Sequence, residues 1–136
     1  MDLISELENE FNALTQAQPV SHIAVRVAGQ IMKLELAQLG IDYLAGTIDR
    51  HLVIIPSPGV SQVMGSYLPE QTERSLVELL SGIRSPVRIR FKTATEDGAC
   101  WLLNIRSNWI RVSGNRGISW IPLSAIQSIE VLAVDN

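Results

Sequence analysis

The chain has 136 residues, 46% of them hydrophobic and 18% charged, with a formal net charge of −3. A chain of this size and balance buries enough apolar surface to fold without disulfides or metals, and it has room for one domain or two very small ones. Its one cysteine, Cys100, excludes an internal disulfide and a multi-cysteine metal cluster and fits a reducing cytoplasm. No apolar run approaches the ~20 residues that span a bilayer. Met1–Glu10 is acidic and lacks the basic and apolar regions of a secretory signal, so a cytoplasmic protein without a membrane partner is expected.

In chain order, Asp2 is a helix cap. Leu3, Leu7, Phe11 and Leu14 follow as an apolar stripe at helical spacing, and Glu6, Glu8 and Glu10 sit favourably near the positive end of the helix dipole. Alternating and short apolar runs then predict strands over Ile23–Ala28, Ile31–Leu39, Asp42–Ile48, Leu52–Ser57 and Val60–Gly65. Pro69 and Glu70 suit the first turn of a second helix, with Leu76, Leu79, Leu80 and Ile83 as its stripe and Gly82 as its stop. Five more strands are predicted over Val87–Thr93, Ala99–Ile105, Asn108–Ser113, Ile118–Leu123 and Ser128–Val134. Glu96-Asp97-Gly98 and Gly114-Asn115-Arg116-Gly117 supply hairpin turn chemistry between them.

The second half repeats the first. Residues 40–63 align without gaps on 106–129, an offset of 66, with Arg50 on Arg116 and Pro56 on Pro122 identical. Apolar positions agree more widely, as in Tyr43 with Trp109, Leu44 with Ile110, Ile54 with Trp120 and Val63 with Ile129. Upstream, after a two-residue gap, IAVRV at 23–27 parallels VRIRF at 87–91. The units are 1–66 and 67–136. Proline cannot donate to a sheet ladder, so Pro56 and Pro122 are expected to end or bend the fourth strands, ahead of tight connections through Pro58-Gly59 and Ser124-Ala125. Closing five short bent strands behind one helix removes exposed edges. The expected fold is therefore mainly β, two tandem five-stranded small barrels, each preceded by a short α-helix.

This succession resembles the Sm-like fold of LSm proteins and bacterial Hfq, over nearly the whole chain in two copies. GACWLLNIRSNWIRV followed by WIPLSAIQSI is also similar to a group of actinobacterial proteins without an assigned function. The Sm pattern places an acidic residue and, four positions later, an asparagine in the loop between strands two and three to hold a base. Asn104 and Asn108, or Gln38 and Asp42, stand at that spacing. The Arg-Gly pair of the second Sm motif is replaced by Pro122-Leu123 and Pro56-Ser57, and the basic and histidine residues of Hfq are absent, so the resemblance does not carry the base-binding site over.

Catalytic signatures are weak. His22 and His51 have no metal-ligand spacing to other donors, and Cys100 on a strand reads as a buried, inert thiol. The glycine clusters lack the strand-to-helix context of a phosphate loop. No catalytic, cofactor or metal residues and no small-molecule substrate are expected. Charge is more informative. Residues 82–121 hold seven basic side chains against Glu96 and Asp97, whereas residues 1–65 hold three against seven acidic ones. Arg88, Arg90 and Lys92 alternate along one strand, and Asn104, Arg106, Asn108, Trp109, Arg111 and Arg116 follow, a candidate surface for a partner or for nucleic acid. The leading expectation is a non-catalytic module that forms a homo-oligomer or engages a partner protein, pairing its basic half with an acidic one. RNA binding through the basic second unit is the alternative.

Overall fold

Residue pairs with positive φ set the first hairpins. Ala28 (51°) and Gly29 (78°) join the first two strands, and Asp49 (51°) and Arg50 (69°) join the third and fourth. Two-residue turns of this kind match the right-handed twist of the flanking strands. The computed structural model describes residues 22–65, 68–83 and 86–133. The first strand set is β1 (His22–Val27), β2 (Gln30–Leu39), β3 (Tyr43–Ile48) and β4 (His51–Pro56), then a 3-10 turn (Ser57–Gly59) and β5 (Val60–Met64). A short strand, β6 (Glu70–Gln71), and helix α1 (Leu76–Ser81) lead into the second set. That set is β7 (Val87–Thr93), β8 (Asp97–Arg106), β9 (Trp109–Gly114) and β10 (Gly117–Pro122), then a 3-10 turn (Leu123–Ala125) and β11 (Ile126–Ala133). Pro56 and Pro122 end β4 and β10 and open the 3-10 turns, where a missing N–H is tolerated.

All the strands lie in one sheet of order β10-β9-β8-β7-β11-β4-β3-β2-β1-β5, with β6 beside β2. In each set the fifth strand pairs antiparallel with the first, β5 with β1 and β11 with β7. The sets are joined by an antiparallel seam between β4 and β11, with Ile54 opposite Ile129 and Val53 opposite Glu130.

The mainly β class stands, but two closed barrels, each behind a helix, do not. The sheet is open because β4 offers its free edge to β11 rather than to β5, and no pairing joins β10 to β11. The helix expected over 2–14 lies outside the described residues. The second expected helix begins not at Pro69 but at Leu76, capped by the Ser75 hydroxyl, which accepts from Glu78 N–H. Glu70–Gln71 is extended instead because the edge of β2 accepts it as a parallel strand, Gln38 opposite Glu70 and Leu39 opposite Gln71.

Two apolar clusters fill the fold. Val25, Val27, Leu34, Leu44, Val53 and Ile55 form the core of the first set. The larger cluster joins Leu76 and Leu80 of α1 to Ile89, Leu102, Ile110 and Ile129 of the second set, and it takes in Tyr43, Ala45 and Ile54 from the first. Alternation along β3 and β4 explains the division, since Leu44, Val53 and Ile55 face one way and Tyr43, Ala45 and Ile54 the other. At Gly46, β2 crosses so closely that a Cβ would lie 2.9 Å from the Leu34 Cβ and 3.0 Å from the Glu35 carbonyl oxygen. Beside it β2 takes a register shift between Glu35 and Gln38, with Leu36 at φ 52°.

Candidate functional site

Strand register assembles an aromatic and basic face on the second set. Across β7, β8, β9 and β10 one row runs Arg88, Trp101, Ser113, Ile118; the next holds Asn104, Arg111, Trp120; the last holds Arg106, Trp109, Pro122. Trp101, Trp109, Trp120 and Ile118 are exposed by 39, 45, 43 and 57%. The Arg88 and Arg111 guanidinium carbons each stand 6.0 Å from a ring centroid, over Trp101 and Trp120 respectively. Such a contact contributes about 0.5–1 kcal/mol at an exposed site.

Of the residues singled out in sequence, Arg88, Asn104, Arg106, Trp109 and Arg111 share this face, with Asn108 exposed in the turn below it. Arg116 lies in the β9–β10 turn, at the far end of that hairpin from Trp109. Arg90 and Lys92 are turned towards the seam. The Arg90 Nε is 3.6 Å from an Asp97 carboxylate oxygen, and the Lys92 ammonium donates to the Gln30 side-chain oxygen at 3.4 Å. Both line a cleft of about 210 Å³ with Met32, Val53 and Glu130. The row of three cations is thus divided: Arg88 and Arg90 stay exposed, Arg90 paired with Asp97 inside the second set, and Lys92 alone reaches the first set, through Gln30. Sequence reasoning missed Trp101, Trp120 and Ile118, although their alternation with Cys100, Leu102 and Ile121 carried the signal.

The repeat gives this face its meaning. Tyr43, Ala45 and Ile54 are 0, 5 and 0% exposed, covered by the second set and α1. Their equivalents at the 66-residue offset are Trp109, Arg111 and Trp120, none of them buried. The corner beside them repeats the contrast. An Asp42 carboxylate oxygen accepts from Leu76 N–H at 2.6 Å, the Leu39 carbonyl accepts from Thr72 N–H at 2.7 Å, and Ile41 N–H donates to the Arg74 carbonyl at 2.9 Å. The equivalent of Asp42, Asn108, is exposed, and β8 beyond Leu102 has β9 on one side and no other strand among the described residues.

A second cleft, about 640 Å³, runs along both 3-10 turns and is lined by Ala28, Pro58, Phe91, Ile121, Ile126 and Glu96, among others. Among the described residues no three His, Cys, Asp or Glu side chains cluster closely enough to hold a metal ion. Nor is any helix among them long and apolar enough to cross a membrane. Cys100 is buried, and burial pushes its thiol up to about 11, since the thiolate would lose its hydration. His51 and Glu130 meet across the seam at 3.8 Å, too long for a hydrogen bond. Comparison with protein-family models, with curated proteins and with solved structures finds no match.

Proposed function

We propose that the protein is a non-catalytic assembly module that forms a homo-oligomer by setting β10 of one copy against β5 of the next. The observation that carries this is the seam inside the chain. There the fourth strand of one set pairs with the fifth of the other, and the two sheet ends left open among the described residues are another fourth strand, β10, and another fifth, β5. An edge strand with one side unpaired and exposed apolar side chains is a ready template for another chain, and Ile118 and Trp120 make β10 such a strand. Transferring the seam's register by 66 residues sets Trp120 opposite Val63 and Ser119 opposite Met64 of the neighbour. The contact also brings the half of one copy that holds residues 1–65, three basic side chains against seven acidic, to the basic second set of the other.

This reading accounts for the face better than RNA binding does. Trp109, Arg111 and Trp120 occupy positions whose counterparts are buried by the companion set, and Arg90 and Lys92 already have partners. Light scattering on the full chain is the test. A mass of several chains is expected; Ser119→Lys with Met64→Lys, like charges placed opposite each other, shifts it to one chain, and Ser119→Lys with Met64→Glu restores it. A wild-type monomer at high concentration defeats the proposal. Tight RNA binding that falls steeply with salt would put the alternative in its place.

A further inference from the structure

We infer that the Asn108–Trp109 corner of one copy is the docking site for residues 1–21 of the next copy. The inference rests on the edge-to-edge assembly proposed above and names a second part of its interface. Within the chain, the segment leading into the second set is bound to the corner of the first: β6 lies along β2, Thr72 and Arg74 bond to Leu39 and Ile41, and Leu76 N–H donates to Asp42. Tyr43 is fully buried there, in one cluster with Leu76 and Leu80. The corresponding corner of the second set, Ile105 to Trp109, has no such cover among the described residues, and its Trp109 is 45% exposed. When β10 pairs with the neighbour's β5, the neighbour's first set takes the place that the second set takes within the chain. Its leading segment then falls on this corner.

That segment is residues 1–21, and three features suit it to the place. It is long enough, since the internal leader spans residues 70–86 between its first contact and β7, whereas residues 1–21 precede β1. It offers Leu3, Leu7, Phe11 and Leu14 at helical spacing to cover an indole. It carries Asp2, Glu6, Glu8 and Glu10 and no Lys or Arg, opposite Arg106 and Arg111, which flank Trp109 in the rows described above. In the first set those two positions are Gly40 and Ala45, without charge.

Disulfide trapping between full-length chains tests this, all in a Cys100→Ser background. One chain carries Leu3→Cys or Leu7→Cys and the other Asn108→Cys, while Ser119→Cys with Met64→Cys reports on edge pairing. Both kinds of pair are expected to cross-link chains under mild oxidation, and Trp109→Ala is expected to raise the assembly dissociation constant about tenfold or more. If the edge pair cross-links and neither the Leu3→Cys nor the Leu7→Cys chain is trapped by the Asn108→Cys chain, the docking is wrong while the assembly stands. If neither kind of pair cross-links, both proposals fall.

Discussion

The Cys100 thiol lies between Gly114 on β9 and the interior of the second set, 7% exposed, and burial raises it from its ordinary value near 9 to about 11. Below pH 9 the folded and unfolded chains both keep the proton, so the group adds no pH dependence there. As pH climbs from 9 towards 11 the unfolded chain loses it first, and stability declines across that window by on the order of 1–2 kcal/mol. Cys100→Ala should flatten this part of the stability curve, measured by denaturant titration at pH 8, 9, 10 and 11. An unchanged slope would mean the thiol is already solvated. The same environment keeps the native thiol slow towards alkylating reagents at neutral pH.

Among the elements, the short helix α1 is held both by its own cap and by a side chain of the first strand set. Ser75 caps it locally, and Asp42 reaches across from the β2–β3 turn to take Leu76 N–H. Ser75→Ala is expected to cost about 1 kcal/mol, the usual loss for a cap. Asp42→Ala should cost a further 1–3 kcal/mol, roughly, because a part-buried donor is left without its partner. Urea titration of the two variants checks this, and a neutral Asp42→Ala would mean that water replaces the carboxylate. Both strand sets were legible in the sequence to within a few residues at each end, because their signals are local: period-two alternation, Glu96-Asp97-Gly98 and Gly114-Asn115-Arg116-Gly117 at turns, and prolines at the ends of β4 and β10. The start of α1 was not legible, since Pro69 and Glu70 satisfy the rules for a first helical turn. What overrides them is the free edge of β2, a long-range feature. Sheet closure was hidden for the same reason, for nothing local to Ile54 says whether its partner is in β5 or in β11. On the candidate surface the six residues that share one corner and face could be chosen by charge and spacing, but the Arg90–Asp97 pair forms across the β7–β8 hairpin and Lys92 meets Gln30 only once the two sets come together, so neither contact could be read from charge alone.

At the scale of the whole molecule, β4 and β11 are each paired on both sides, whereas β5 and β10 close the two ends of the sheet with one neighbour apiece among the described residues. Amides of doubly paired central strands exchange with solvent only in large openings, and end strands exchange through local fraying. Hydrogen exchange measured at rising protein concentration therefore separates the possible contacts. Head-to-tail addition uses both ends, so amides of β10 and β5 should slow together while those of β4 and β11 keep their rates. An isologous contact, β10 against β10, would protect β10 alone and stop at a dimer, leaving β5 as fast as before. The exposed Trp120 would be covered in either case, so fluorescence cannot tell them apart, but the exchange of Val63 and Met64 can. Protection there is expected only if the seam between the strand sets is the pattern that the oligomer repeats, with each set taking the same two neighbours throughout.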